Sequence, residues 1–144
     1  NGSLIDRENV QAGLRRLAEI NGEVWFKLDS VIRERRQQIN NTRMSSRQVC
    51  SNLKLSASLC PTWIQTCVFK TDGNPPARVE TKAYLGFIKK LLQEGTLIQG
   101  VLLYGLARFS MQPESPRLTK VTQKWIESFG KEINSLGLIV KTNM

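Results

Sequence analysis

The sequence predicts an all-α fold: a single compact domain of about six helices, with a possible short strand at its C-terminus. Three observations lead there. Apolar residues recur at spacings of three and four along several stretches, the pattern that puts them on one face of a helix. Asn-Gly, Asp-Gly, Pro-Pro and Ser-Pro pairs cut the chain into pieces of helical length. The 144 residues are 40% hydrophobic and 23% charged, which suits one globular domain and is too apolar for general disorder.

Residues 6–20 read as a first helix, with Val10, Leu14 and Leu17 on one stripe. Asn21-Gly22 ends it, because both residues tolerate the left-handed C-cap. Residues 23–39 read as a second helix on which Trp25, Leu28, Ile32 and Ile39 share a face, broadened by Val24 and Val31. Asn40-Asn41-Thr42 punctuates, and Ser45 or Ser46 caps a short helix running through Leu53. Pro61 suits the first turn of another helix, with Trp63, Ile64, Cys67 and Val68 as its apolar set.

The strongest break is KTDGNPPAR, residues 70–78, where Asp72-Gly73 and Pro75-Pro76 demand a turn and extended backbone. It is expected as an exposed loop. Residues 79–93 form the next helix, burying Ala83, Phe87, Ile88, Leu91 and Leu92 and ending at Gly95. TLIQGVLLYGLARFSM, residues 96–111, is apolar nearly all round and reads as the central helix, with Gly100 and Gly105 allowing close approach; a buried strand competes for part of the run. QPESPR is a loop in which Ser115 caps and Pro116 takes the first helical position. Val121, Trp125, Phe129, Ile133 and Leu136 then mark a last amphipathic helix, ended by Gly137. LIVK after it is a short strand or a packed tail. Residues 1–3 read as a cloning remnant and residues 4–144 as one domain.

Lys and Arg number 21 against 12 acids, a net charge of +9. That attracts polyanions such as nucleic acid. RERRQQINNTRMSSRQ gathers Arg33, Arg35, Arg36, Arg43 and Arg47 within 15 residues, spaced by amides and hydroxyls. Guanidinium groups match phosphate and the neutral groups add further contacts, whereas bulky apolar residues suited to a membrane surface are scarce. Trp63 and Phe69 are the only loop-adjacent candidates for base stacking.

There is no histidine, so the commonest general base and zinc ligand is missing. Cys50, Cys60 and Cys67 lack metal-site spacing and are expected as free thiols in a reducing, intracellular compartment, nucleus or cytoplasm. No P-loop, GxGxxG or GxSxG occurs, carboxylates are sparse, and no run is long enough for a membrane span. No enzyme, cofactor or metal is therefore expected.

SRQVCSNLKLSASLCPTWIQ, residues 46–65, resembles a bacterial-repressor helix-turn-helix. Val49, Leu53, Leu55, Cys60 and Trp63 fall at its apolar positions, and Cys50 at the small residue where the two helices cross. Lys54 replaces the usual turn glycine, and Pro61 falls inside the recognition helix, where it costs about 3 kcal/mol. The version compatible with Pro61 has a longer turn and a second helix presenting Thr62, Gln65, Thr66 and Lys70. YLGFIKKLLQEGTLIQGVLLYGLARF looks like the first two helices of a cyclin box, from which no residue roles are carried over.

The resulting expectation is a non-enzymatic domain that binds RNA or DNA through Arg33, Arg35, Arg36, Arg43, Arg47, Lys54 and Gln65. The alternatives are a helical protein–protein module meeting an acidic partner, such as a viral or regulatory scaffold domain, and a helix-turn-helix regulator of DNA.

Overall fold

A computed structural model describes residues 2–107 and 115–143. Its centre is a parallel β-sheet, so the all-α expectation is wrong. The sheet has four strands: β1 (Val24–Lys27), β2 (Thr62–Cys67), β4 (Gly100–Tyr104) and β6 (Ile139–Asn143), in the spatial order β1-β2-β4-β6. Two short strands, β3 (Lys70–Thr71) and β5 (Leu118–Thr119), pair antiparallel as a separate ribbon. The helices are α1 (Glu8–Glu19), α2 (Arg33–Asn40), α3 (Ser46–Leu59), α4 (Arg78–Gln93) and α5 (Gln123–Asn134), with a 3-10 turn over Ser115–Arg117.

Several expected elements are present. Asn21 takes the left-handed conformation after α1, with φ of 58°. Ser45 caps α3 reciprocally: its Oγ accepts from Gln48 N–H (3.1 Å), and Gln48 Oε1 accepts from Ser45 N–H (2.9 Å). Helix α4 begins one residue before the expected start and ends at Gln93 as expected. All of LIVK but its first residue lies in a strand, β6.

The misread pieces are the other three main strands. The expected second helix is β1, a bend and the two-turn α2. The expected helix from Pro61 is β2, whose TWIQTC is rich in β-branched and aromatic residues. The expected central helix contains β4; residues 108–111 of that run lie outside the described residues. GVLLY is an unbroken apolar run, whose periodicity does not tell a strand from a buried helix. The helix-turn-helix fails for the same reason, since α3 is followed by a strand rather than a recognition helix. The cyclin-like segment likewise passes from helix α4 into strand β4.

Each of α3, α4 and α5 carries the chain from one strand to the next parallel neighbour. Because every crossover steps the same way along the sheet, right-handed connections put all three helices on one face. There Phe26, Ile64, Val101 and Leu103 pack against Val49 and Leu53 of α3, Tyr84, Ile88 and Leu91 of α4, and Ile126, Phe129 and Ile133 of α5. Trp125, expected in the core, is half-buried at its margin, with its ring 5.3 Å from that of Phe129.

Side chains alternate across a strand, so Trp25, Lys27, Trp63, Gln65, Leu102, Tyr104 and Lys141 fall on the opposite face. No helix covers it among the described residues: Trp25 is 57% exposed. Trp63 is nonetheless buried, since the register aligns Trp25, Trp63, Gly100 and Ile139 in one row. A Cβ on Gly100 would run into the Ile139 carbonyl oxygen and lie 2.6 Å from the Trp63 ring. Lys141 Nζ sits 4.3 Å from the centre of that ring, and Glu23 accepts from the indole N–H groups of both Trp63 and Trp25 at 2.8 Å.

Candidate functional site

In open parallel sheets the strand C-termini all point to one edge, where loops rather than continuing strands leave room for ligands. Here that edge carries a cleft of about 420 Å³. Its floor is Lys27 at the end of β1 and Asp29 just beyond it, with Cys67 at the end of β2 and Phe69 just beyond it. Its walls are Arg35, Gln38, Ile39 and Asn40 of α2 and, from the ribbon side, Thr71, Arg117 and Leu118.

Asp29 organises the floor. Its side chain is 1% exposed, and each partner donates to it: Cys67 N–H to Oδ1 (2.9 Å), Asn40 Nδ2 to Oδ2 (2.7 Å) and the Lys27 ammonium to Oδ2 (2.8 Å). The bond to Cys67 N–H joins the ends of β1 and β2, and the bond to Asn40 ties down the last turn of α2. Burial by itself would lower the Lys27 pKa; the Asp29 carboxylate outweighs this and raises it above the ordinary lysine value. Lys27 therefore remains a cation in the cleft floor.

The neighbouring acids are kept neutral. Burial, reinforced by Asp29 and opposed by Lys27, pushes the Cys67 thiol up to about 11. Burial also raises the Tyr104 phenol, against the opposing pull of Lys27. Cys67 is accordingly a thiol at neutral pH in this environment. Beneath the floor, Thr66 Oγ1 donates to Leu28 O (3.0 Å) and accepts from Tyr84 OH (2.6 Å), which satisfies a buried polar pair within the core.

Arg35 crosses the cleft wall. Its Nη2 donates to Thr71 Oγ1 (2.8 Å), its Nε lies 3.2 Å from Glu80 Oε1, and its guanidinium carbon is 5.8 Å from the centre of the Phe69 ring. Arg117 reaches Asp72 through Nε (2.8 Å) and Nη2 (2.5 Å). The Asp72-Gly73 turn, expected as an exposed loop, is exposed and is braced by this pair.

The seven residues expected at a nucleic-acid surface do not form one surface. Arg33, Arg43 and Arg47 are exposed, Arg35 lines the cleft, and Lys54 pairs with Glu94 at 2.7 Å. Gln65 lies mid-strand on the open sheet face, not on a helix. Arg36 is 4% exposed and faces inward. The proposed stacking residues Trp63 and Phe69 are both 7% exposed. Conversely, no local pattern marks Lys27, Asp29, Asn40, Cys67, Tyr104 and Arg117 as residues at or beside a cleft. Only a strand assignment brings Lys27, Asp29, Cys67 and Tyr104 together at strand ends, with Asn40 added by the end of α2 and Arg117 by the turn before β5.

No protein-family model and no curated protein matches the sequence. Solved structures do match. A radical SAM methyltransferase from Sphaerobacter thermophilus superimposes with a TM-score of 0.66 at 13% identity, over 92% of this chain and 37% of that one. A domain of pyruvate-formate lyase-activating enzyme from Bacteroides vulgatus superimposes with a TM-score of 0.68 at 13% identity, over 97% of this chain and 76% of that one. The chain thus spans little more than a third of the methyltransferase's length. At this identity the likeness establishes a shared α/β fold. It overturns the expectation of a non-enzymatic, helical nucleic-acid-binding domain, because the architecture is that of domains from enzymes and the helices meant to carry the binding are partly strands. Among the described residues no helix is long and apolar enough to cross a membrane.

Proposed function

We propose that this chain forms part of an enzyme of the radical SAM type and contributes a ligand-binding wall for S-adenosylmethionine at its strand ends. The observation that carries this reading is the cleft at the C-terminal edge of the parallel sheet, floored by the buried Asp29 and the cationic Lys27. Its volume falls in the range of small-molecule sites, and its lining mixes apolar Phe69, Ile39 and Leu118 with a few directed polar groups. A ligand with an aromatic base, hydroxyls and a carboxylate finds partners of each kind: Phe69 and Leu118, Gln38 and Thr71, Lys27 and Arg35. The three free thiols suit a reducing, intracellular compartment.

Radical chemistry with S-adenosylmethionine draws on an iron–sulfur cluster, which needs cysteine thiolates. The cysteines here do not fit one. Cys50 is on α3, Cys60 is buried after it with its thiol toward Gly22 O, and Cys67 ends β2, so the three lie on different elements and lack the close spacing of cluster ligands. Among the described residues no three His, Cys, Asp or Glu side chains are grouped to hold a metal. The role proposed for this segment is therefore binding and orientation of the ligand.

Calorimetric titration with S-adenosylmethionine tests the reading. Binding is expected, weakened at least about tenfold by Lys27→Ala, as loss of a hydrogen bond to a charged group implies. A folded protein that does not bind, or binding indifferent to Lys27→Ala, Arg35→Ala and Phe69→Ala, would overturn it.

A further inference from the structure

Helix α2 supplies a whole wall of the cleft, yet little in its own composition holds it. RERRQQIN has a single apolar residue, Ile39, and the N-cap position, Ile32, offers no side-chain cap. At two turns, such a helix has no intrinsic stability in water. Something else fixes it. Arg36 points away from the cleft into the loop that α2 interrupts. One guanidinium nitrogen, Nη1, donates to Val31 O (2.6 Å) and Ser30 O (3.5 Å), before the helix. The other, Nη2, donates to Met44 O (3.2 Å) and Ser46 Oγ (3.2 Å), after it. The side chain is 4% exposed and makes no ion pair with any described carboxylate; its Nε has no hydrogen-bond partner among the described residues. A buried cation without a carboxylate is costly, and here carbonyl dipoles offset that cost.

We propose that Arg36 is the positioning residue of the cleft: it closes the segment from Ser30 to Ser46 into a loop and so sets α2 against the strand ends. The consequence runs through Asn40, whose amide at the far end of α2 donates to Asp29, which in turn holds Lys27 and the Cys67 N–H. Arg36 itself does not line the cleft. Its function is to fix the wall that does, and the part of this inference that concerns ligand affinity rests on the reading of the cleft as the S-adenosylmethionine site. A guanidinium is suited to the task because its planar fork reaches both ends of the loop at once; a lysine ammonium is a single point of donation.

The test is Arg36→Met, with Arg36→Lys beside it, followed by amide hydrogen exchange, NMR and titration with S-adenosylmethionine. In Arg36→Met the α2 amides should exchange at least about tenfold faster, the factor that loss of one hydrogen bond to a charged group implies, while β2 and β4 amides keep their protection. The Asn40 side-chain amide and the Cys67 backbone amide should shift as their bonds to Asp29 loosen. Affinity of the folded protein should fall about tenfold, with partial recovery in Arg36→Lys. Unchanged α2 exchange with unshifted Asn40 and Cys67 resonances would overturn the proposal, as would loosened α2 with unaltered affinity. Should the wild type bind no S-adenosylmethionine, the reading of the ligand falls, and the exchange and NMR arms still decide whether Arg36 sets the wall. A variant that fails to fold is replaced by Ser46→Ala, which removes one acceptor of the four and should shift the same resonances in the same direction by less.

Discussion

Replacing Asp29 by asparagine tests the organisation of the cleft floor most directly. The change keeps the shape and removes the charge. All three partners of the carboxylate are donors: Cys67 N–H at 2.9 Å, Asn40 Nδ2 at 2.7 Å and Lys27 Nζ at 2.8 Å. A carboxylate accepts on both oxygens, whereas an amide accepts on one and must point its NH₂ at a donor with the other. Either orientation is bad. With the NH₂ toward Lys27 and Asn40 two bonds are lost; with it toward Cys67 a backbone N–H is stranded at the end of β2. Removing one member of a buried ion pair costs about 3–5 kcal/mol, and the lower end applies because Lys27 keeps 35% of its side chain exposed and can rehydrate. The expected loss is about 3 kcal/mol in urea unfolding. The Lys27 pKa should fall as well, since burial then acts without the carboxylate that offsets it. A cost below about 1 kcal/mol, the worth of one ordinary hydrogen bond, would show that water or a shifted backbone replaces Asp29 and that the floor is not organised around it.

Three further outcomes follow from the packing and the titrating groups. Gly100→Ala should destabilise by about 3 kcal/mol in the same assay, because the added Cβ meets the Ile139 carbonyl and the Trp63 ring; near neutrality would mean that β4 and β6 are further apart than described. Trp125→Ala should cost about 2 kcal/mol, less than a fully buried aromatic, since the side chain is half-buried and loses chiefly its contact with Phe129; a loss near 4 kcal/mol would place it in the core after all. The Cys67 thiol, raised to about 11 from an ordinary value near 9, makes the folded state the form that holds its proton longer, so its contribution is complete below about pH 9 and is lost as pH climbs towards 11. Stability measured across that window should decline more steeply in the wild type than in Cys67→Ala, by up to about 2 kcal/mol; parallel curves would refute the assignment.

What the sequence makes legible is what local chemistry alone decides. Helices α1, α4 and α5 show their amphipathic stripes, the Ser45-Ser46 pair shows the cap of α3, and Asn21 shows its left-handed stop, because each signal is complete within a few residues. The strands are decided by partners distant in sequence. Trp25, Leu28, Ile32 and Ile39 keep helical spacing although a bend separates β1 from α2. That bend contains no glycine or proline; it is made by Ser30, whose Oγ accepts from Ile32 N–H at 3.2 Å, and by Asp29, whose carboxylate is engaged by Cys67 on the next strand. Only the second of these needs the fold, and it is the one that marks the site.

The arginine cluster shows why composition misled about function. Arg33, Arg35 and Arg36 lie within four positions of one short helix, and their side chains have three different fates: solvent, cleft wall and loop interior. A helix only two turns long, set between a cleft on one side and its own loop on the other, gives adjacent residues opposite environments. Arg35 faces acceptors on the ribbon and on α4, Thr71 and Glu80, while one position later Arg36 faces the carbonyls of Val31 and Met44. Counting charges along the chain treats the three as one electrostatic patch. The geometry makes Arg35 and Arg36 the two sides of a single wall, one turned towards whatever fills the cleft and the other holding the wall in place, so the positive charge here builds a site before it attracts anything to one.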